Sequence, residues 1–377
     1  MNTEQKQNVL FLTPLPPPVH GVSFINSLLV KKMDCKYNLT VIKLNNTIKL
    51  SQIGKINFGK INFFKNLFYQ IKSTLKHNYF DIVYYPISSR GAAMFRDIIL
   101  IWMIKKRTKA KVVLHVRGRD FFIYKKNYFV KSILKTTFSN TFVIQHSANL
   151  VQDIDWFGAK YKHRFFLPNG IPMAAACKKT YSNKTPVNLL FLSVKTYNKG
   201  IFVLMQALDF LLKNNVDFVI NFIGDYASQK VKTNLYDMIN NIEFGGRFID
   251  IGAVHGAEKE KYFMDADIFI FPTMRESFGN VVLEAMSYGV PVIASDEGAL
   301  PEILDNGNSG VLFKKGDSEN LAVKLSELIK NPDLRKEKGI NGKLRFVSNY
   351  SFEKFENNMD EIFKKITKKE ETIKYEY

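Results

Sequence analysis

Short apolar runs alternate with helical segments along the whole chain, and that alternation limits the fold more than any other feature. In the first half the runs are Asn8–Pro14, Leu39–Leu44, Asp81–Pro86, Lys111–Val116, Thr141–Gln145 and His163–Leu167. In the second half they are Val187–Val194, Val216–Asp225, Arg247–Val254, Asp267–Pro272, Pro291–Ser295 and Gly310–Phe313. Runs rich in Val, Ile and Phe with little polar alternation suit strands buried on both faces, as in parallel sheets. The spacing predicts helices over 22–32, 55–77, 91–107, 127–137, 146–156, 318–329, 333–349 and 351–367. Strand–helix alternation indicates an α/β fold with doubly wound parallel sheets. At 377 residues the chain is long enough for two such domains with full cores. Ligands of such sheets lie beyond the carboxyl ends of the strands.

The stretch Phe271–Ser295, FPTMRESFGNVVLEAMSYGVPVIAS, parses as strand, loop, helix, strand. Asn280 is expected to cap the helix, with Val281, Leu283, Ala285 and Met286 giving it apolar surface. Gly289 is placed to end it and Pro291 to stop its continuation. Gly279 permits close approach of a ligand to the backbone. A helix start offers N–H groups and a positive dipole end, which suit a phosphate or diphosphate. Glu276 and Glu284 lie before and inside the helix, where their carboxylates could accept hydroxyls of one ligand. A plain βαβ unit with two surface glutamates fits the spacing alone equally well.

The wider segment, ESFGNVVLEAMSYGVPVIAS followed by Gly298-Ala-Leu-Pro-Glu302, closely resembles the donor-site signature of the retaining GT-B glycosyltransferases of family four. The resemblance is strong over about residues 187–320 and weaker from residue 8. It implies two Rossmann-like domains facing across a cleft: an acceptor-binding domain over 1–170, a linker over 171–186, and a nucleotide-sugar-binding domain over 187–350. Residues 351–377 would form a helix crossing back to the first domain, and Pro168-Asn169-Gly170 the turn between domains. In the second domain the resemblance puts Lys199 on the donor diphosphate, Glu276 on sugar hydroxyls and Glu284 on ribose. Ser277, Phe278, Gly279, Asn280 and Val281 would line the donor loop, and backbone from Gly252 to Val254 would border the base. The family also has an arginine near the first strand end of this domain. Here that position falls at Val194 or Lys195, so Lys195 is the candidate cation, without arginine's bidentate fork. In the first domain Gly21 would face the donor diphosphate, His115 the transferred sugar, and His20, Arg117 and Arg119 the acceptor. The resemblance implies transfer from a nucleotide-sugar, with UDP the commonest carrier, to a hydroxyl of a lipid-linked or saccharide acceptor, with no cofactor and no metal. The pairs Asp265/Asp267 and Asp153/Asp155 are read as turn and helix-end residues, not as metal ligands.

Charge is split between the halves. Residues 1–180 carry 29 Lys+Arg against 7 Asp+Glu, a net of +22, whereas 181–377 carry 25 against 28, a net of −3. A basic half calls for an anionic partner such as a membrane surface, a lipid-linked diphosphate or an acidic saccharide. A lysine-rich composition bias explains the lysines but not the scarcity of acids in that half. The segment Lys55–His77 places Ile61, Phe64, Phe68, Ile71 and Leu75 at helical spacing, which suits a basic helix lying on a membrane or one packed on the sheet. No secretory signal opens the sequence: Met1–Asn8 is polar and the apolar run Val9–Leu12 is short. Cys35 and Cys177 fit no metal spacing and suggest a reducing cytoplasm. These features predict a cytoplasmic protein peripheral to the inner face of the membrane. An epimerase of the same architecture fits the fold, but the Glu-x7-Glu loop favours the transferase, and a phosphorylase would need a lysine holding pyridoxal phosphate. A non-enzymatic membrane or nucleic-acid binder would leave that loop unused, and no nucleic-acid-binding signature is present.

Overall fold

The computed structural model describes residues 6–17, 21–45, 58–174, 179–181 and 185–368. The chain forms two compact units, one of Met1–Gly170 with Glu353–Tyr377 and the other of Ile171–Phe352. Each is built on a six-stranded, wholly parallel sheet.

In the first unit the strands are β1 (Asn8–Thr13), β2 (Asn38–Lys43), β3 (Ile82–Ile87), β4 (Lys111–Val116), β5 (Phe142–Gln145) and β6 (His163–Phe166), in the order β2-β1-β3-β4-β5-β6. The helices are α1 (Gly21–Lys36), α2 (Phe58–His77), α3 (Gly91–Arg107), α4 (Tyr128–Phe138) and a single turn, α5 (Gln152–Asp155). The expected helix over 146–156 is therefore mostly a 3-10 turn at Ala148–Leu150 and this short α5. A physical reason lies in Gln145. Its side-chain amide donates to the Leu150 carbonyl at 3.0 Å, the acceptor that the Ile154 N–H would need in a continuous helix, and the Ile154 N–H donates instead to the Val151 carbonyl at 3.2 Å.

The amphipathic segment at 55–77 packs on the sheet. Leu67, Ile71 and Leu75 of α2 are buried against Leu10, Val83 and Tyr85, with Phe64 and Phe68 half-buried beside them. Ile61, expected on the same stripe, is exposed. Residues 55–57 of that segment lie outside the described residues. Cys35 is an exposed free thiol, and Cys177 lies outside the described residues.

In the second unit the strands are β7 (Val187–Leu192), β8 (Phe218–Ile223), β9 (Phe248–Ile251), β10 (Ile268–Phe271), β11 (Val292–Ser295) and β12 (Val311–Phe313), in the order β12-β11-β10-β7-β8-β9. The helices are α6 (Ile201–Lys213), α7 (Gln229–Asn240), α8 (Gly256–Asp265), α9 (Asn280–Ser287), α10 (Leu300–Ile303), α11 (Ser318–Lys330) and α12 (Pro332–Arg345). Leu189, Phe191, Ile220, Phe222, Ile268 and Ile270 fill the core against Leu204, Leu208 and Leu325. The described part of 171–186, expected as a linker, is tied into this unit. Ile171 exchanges backbone hydrogen bonds with Tyr350 and Phe352 at 3.1 and 2.8 Å, and the Tyr181 hydroxyl donates to the Gly289 carbonyl at 2.8 Å.

The last helix, α13 (Phe352–Thr367), returns to the first unit. Phe355, Met359, Phe363 and Ile366 recur on one buried face. The Tyr37 hydroxyl donates to the Asp360 carboxylate at 2.7 Å, Lys36 pairs with Glu356 at 3.1 Å, and Lys111 Nζ donates to the Ile366 carbonyl at 2.5 Å. Burial comes first among the influences that push the Tyr37 phenol upward, with Asp360 adding to it, so the hydroxyl stays protonated and donating. Phe363 lies edge-on to Tyr37, with ring centroids 5.7 Å apart. Phe363→Ala should cost about 3–5 kcal/mol, the usual range for deleting a buried aromatic ring. Urea unfolding of the variant against the wild type measures it, and a change below about 1 kcal/mol would contradict this docking of α13.

Candidate active site

Strand order in the second sheet reverses at β7. From β7 the chain moves outward through β8 to β9, then returns to the other side of β7 as β10, β11 and β12. The loops after β7 and β10 thus diverge at a topological switch point, where open α/β sheets bind ligands.

Backbone contacts hold these two loops together. The loop after β7 closes as a 3-10 turn, Tyr197–Lys199, with the Thr196 hydroxyl accepting from the Lys199 N–H at 3.2 Å. The Asn198 carbonyl accepts from Met274 N–H at 2.8 Å, Arg275 N–H at 3.2 Å and the Thr273 hydroxyl at 3.0 Å. Gly200 has φ 70°, and a Cβ there would run into the Pro272 carbonyl. The loops can therefore approach only with glycine at this position. Their approach brings Lys199 and Glu276 together: Lys199 Nζ lies 2.5 Å from Glu276 Oε2 and 5.1 Å from the Phe271 ring centroid. Both side chains keep some solvent access, 26% and 15%. The other carboxylate oxygen of Glu276 accepts from the Ser277 N–H at 3.1 Å. On the far side Gly298, at φ 60°, passes so close that a Cβ would meet the Glu276 carbonyl, and the Ala299 N–H donates to the Ser277 carbonyl at 3.3 Å.

The helix after this loop begins one residue earlier than its capping signal suggests. Gly279, not Asn280, is the N-cap of α9, with φ 92°; Asn280 is the first helical residue, and no side chain caps the helix. A left-handed cap is available to glycine and strained for Asn, which corrects the expectation for Asn280. Val281 is half-buried, and Phe278 is buried edge-on to Tyr350 at 6.3 Å. The helix ends as expected: Gly289, at φ 75°, donates to the Met286 carbonyl at 2.9 Å, and Val290 donates to that of Ala285 at 3.0 Å, a Schellman closure. Glu284 lies four residues into the helix and pairs with Lys259 of α8 at 2.6 Å, a partner that no sequence signal named. Beyond β9, Gly252 is exposed but the Val254 side chain is buried. The Ala253 N–H is held by Asp225 Oδ1 at 3.1 Å.

Lys195 does not join Lys199. It is fully buried, paired with the Asp250 carboxylate, donating to the Ile251 carbonyl at 2.8 Å, and set over the rings of Phe222 and Tyr226 at 5.0 and 4.7 Å. Burial lowers the Lys195 ammonium against the opposing pull of Asp250. Burial also works to raise Asp250, yet hydrogen bonds from Lys195, Tyr236 and Tyr226 hold that carboxylate below its usual range. The expectation that Lys195 meets the diphosphate is corrected: its charge is spent inside the unit. Val194, the other alignment of the missing arginine, is 55% exposed.

In the first unit His115, Arg117 and Arg119 lie at and just beyond the carboxyl end of β4. His115 is fully buried, with Nδ1 2.7 Å from the Tyr84 hydroxyl. Arg117 donates to Asn26 Oδ1 at 2.8 Å and to that same Tyr84 hydroxyl at 3.3 Å. A hydroxyl that accepts from Arg117 has its own proton left to donate to His115 Nδ1. This assignment puts the His115 proton on Nε2, an atom that is buried and, among the described residues, without a hydrogen-bond partner. Burial, with Arg117 and His146 beside it, holds His115 well below the usual imidazole range, so the ring is neutral at pH 7. Arg119 lies 3.9 Å from Asp153, and Asp155 pairs with Arg164. Gly21 opens α1, and His20 lies outside the described residues. Asp267 accepts from the Asn188 N–H at 2.9 Å, and the Asp265 carbonyl accepts from the Asn188 side chain at 3.0 Å, so both end a helix and a turn.

With this geometry in view, a family model described as glycosyl transferases group 1 matches residues 175–345, the stretch holding Lys199, Glu276 and Glu284. The match takes in 171 of the 377 residues, a little under half of the chain. The chain is similar to an uncharacterised glycosyltransferase of Methanocaldococcus jannaschii, 31% identical over 186 residues, covering 47% of this chain and 48% of that protein. It is 26% identical over 274 residues to an uncharacterised 41.2 kDa protein in the cps region of Klebsiella pneumoniae, covering 69% of this chain and 73% of that one. It is 26% identical over 174 residues to the capsular polysaccharide biosynthesis glycosyltransferase CapM of Staphylococcus aureus, covering 46% and 45%. In the first and third of these the chain spans about half the length of the relative. Among solved structures, a sucrose-phosphate synthase from Thermosynechococcus elongatus superposes with a TM-score of 0.73 at 15% identity, covering 96% of this chain and 99% of that one. Anabaena HepE in complex with UDP-glucose superposes with a TM-score of 0.70 at 16% identity, covering 95% and 100%. At these identities the likeness is one of fold: two α/β units, as in the GT-B architecture, with the matched residues 175–345 lying in the second.

A pH dependence follows from the buried histidines of the first unit. His146 accepts no proton readily: burial and then Arg117 push it down to about 3. In the unfolded chain a histidine titrates near 6.5. Below that pH the unfolded state binds more protons than the folded one, so stability present above about 6.5 is lost progressively as pH falls toward about 3. Thermal unfolding midpoints measured from neutral to acid pH should fall, and His146→Gln should flatten that fall. An unchanged slope in the variant would contradict the assignment.

Proposed function

We propose that this protein is a retaining glycosyltransferase that moves a sugar from a nucleotide-sugar, with UDP as the favoured carrier, to a hydroxyl of a lipid-linked or surface-polysaccharide acceptor. The observation that carries this reading is the Lys199–Glu276 pair, 2.5 Å apart, at the switch point of a sheet within the group 1 domain.

Chemistry at that point needs an anion stabilised as the nucleoside diphosphate leaves. Lys199 supplies a cation, and the glycine-capped start of α9 supplies backbone dipoles whose cost is already met in the fold. Glu276, anchored through Ser277 and packed under Gly298, is a rigid acceptor for sugar hydroxyls. Its role is positioning and differential binding in the transition state, not nucleophilic attack. Glu284 is assigned to ribose; Lys259 now holds it and would be displaced or shared on binding. Retention of configuration and independence from metal rest on the resemblance of the Glu-x7-Glu loop. The leaving phosphate would take the acceptor's proton. Because Lys195 is committed to Asp250, Lys199 is the donor cation of this reading. Support for a UDP carrier comes from the fold shared with HepE, whose structure holds UDP-glucose. Support for a polysaccharide acceptor comes from the relatives CapM and the cps-region protein. The basic first half of the chain fits a membrane-borne diphosphate acceptor, met by a protein peripheral to the cytoplasmic face.

The test is release of nucleoside diphosphate from a panel of UDP-, GDP- and ADP-sugars, with a chelator present. One carrier class should be consumed, with the chelator without effect, and Glu276→Gln should slow that reaction about 100-fold or more. Equal rates in wild type and variant would overturn the role of Glu276. Loss of all activity on chelation would overturn metal independence.

A further inference from the structure

The first unit carries a second feature that no catalytic assignment uses. Between β4 and α4 the chain makes a 3-10 turn, Asp120–Tyr124, and then enters α4. Phe121 is fully buried, Tyr124 half-buried and Val130 buried. The residues between these anchors are turned out. Phe122 and Ile123 are 48% and 54% exposed, and Tyr128 and Phe129 are 86% and 73% exposed. Lys125 and Lys126 stand exposed between the two apolar pairs, and the stretch 122–129 contains no acid.

This presentation is built, not loose. The Tyr124 hydroxyl accepts from the Gly91 N–H at 2.9 Å, and its ring lies edge-on to Phe95 at 6.3 Å. Asn127 caps α4, accepting from the Val130 N–H at 3.0 Å. Lys125 Nζ sits 4.8 Å from the Phe122 ring centroid, so its cation rides on the apolar surface it borders. Exposing four large apolar side chains in so short a stretch costs solubility unless something covers them. Aromatics at the level of lipid headgroups, interleaved with lysines, match the chemistry of a bilayer interface.

We infer that residues 122–129 form the surface by which the first unit docks on an anionic lipid bilayer, with Phe122, Ile123, Tyr128 and Phe129 entering the headgroup region and Lys125 and Lys126 meeting lipid phosphates. The proposal gives a place to the membrane association contained in the proposed function and rests on that reading. It differs from an origin in the 55–77 segment, whose Phe64, Leu67, Phe68, Ile71 and Leu75 pack into the core. Charge decides between a bilayer and a second copy of this chain. Residues 1–180 carry 29 basic against 7 acidic side chains, so two copies meeting here would bring like charge together, whereas an anionic surface neutralises it.

The experiment is co-sedimentation with vesicles of phosphatidylcholine, with and without phosphatidylglycerol, on the full chain. Wild type should bind the anionic vesicles, and increasing salt should weaken that binding. Lys125→Gln/Lys126→Gln should lower the partition coefficient about 30-fold. Tyr128→Ser/Phe129→Ser should lower it about tenfold or more, and should do so even at low salt. Lys72→Gln/Lys76→Gln, which removes the same charge from α2, should lose much less. Wild-type binding with no loss in the Tyr128/Phe129 variant, or an equal loss in the α2 variant, overturns this surface and leaves membrane association standing. No wild-type binding to anionic vesicles overturns both, as does binding of the wild type to a single-stranded oligonucleotide in place of vesicles. Vesicle binding that survives in Glu276→Gln separates this proposal from the catalytic one.

Discussion

All strands of the second sheet run in one direction, and their order turns back on itself beside β7. That constraint places the loops after β7 and β10 side by side, and the rest of the candidate site follows from it. A single carbonyl, that of Asn198, then holds the second loop through three donors. Gly200 and Gly298 remove the side chains that would keep the backbones apart. Lys199 and Glu276, 77 residues apart in sequence, meet as a result. The ion pair is partly exposed, so it contributes little to folding stability by itself. In the proposed function its value is positional, holding both groups ready for a phosphate and a sugar.

Charge is used in different ways in the two units. In the second, the buried cation Lys195 is matched by Asp250 and enclosed by Phe222 and Tyr226, a network that closes the ends of β7, β8 and β9. Breaking such a network leaves an unpaired buried charge, which costs more than the network contributes. In the first unit, Tyr84 joins Arg117 to His115 through its hydroxyl. Among the described residues the buried Nε2 of His115 has no hydrogen-bond partner, and unsatisfied buried polar atoms are rare enough to need a reason. The remaining basic side chains of that half stand largely at the surface, where they act through long-range attraction.

Much of this was legible from residue order. Each apolar run became a strand because β-branched and aromatic residues without alternation have few other uses in a chain of this length. The Gly289 closure followed from helix-end chemistry and the interest of Glu276 from its place in a loop before a helix, whereas Lys199 was named only through the family resemblance. What was not legible has physical causes. Whether Lys195 turns toward a ligand or into the unit depends on Asp250, 55 residues away. The Asn198 anchor is a backbone atom, which no side-chain pattern reports. Asn280 has the right chemistry for a cap, but the backbone at Gly279 has already taken the left-handed turn. The helix expected over 146–156 is interrupted where the Gln145 side chain takes the Leu150 carbonyl, and periodicity does not register such competition. Lys259 was missed because a lysine on a solvated helix carries no signal of its partner.

The central claim is that a nucleotide is held at this switch point. The direct measurement is titration calorimetry of UDP, GDP and ADP, without divalent metal, on wild type, Lys199→Met and Glu284→Ala. The account predicts selective binding of one nucleotide, weakened about tenfold or more in each variant. Binding of equal strength in all three proteins would place the nucleotide elsewhere. No binding of any of the three would remove the donor site from this fold.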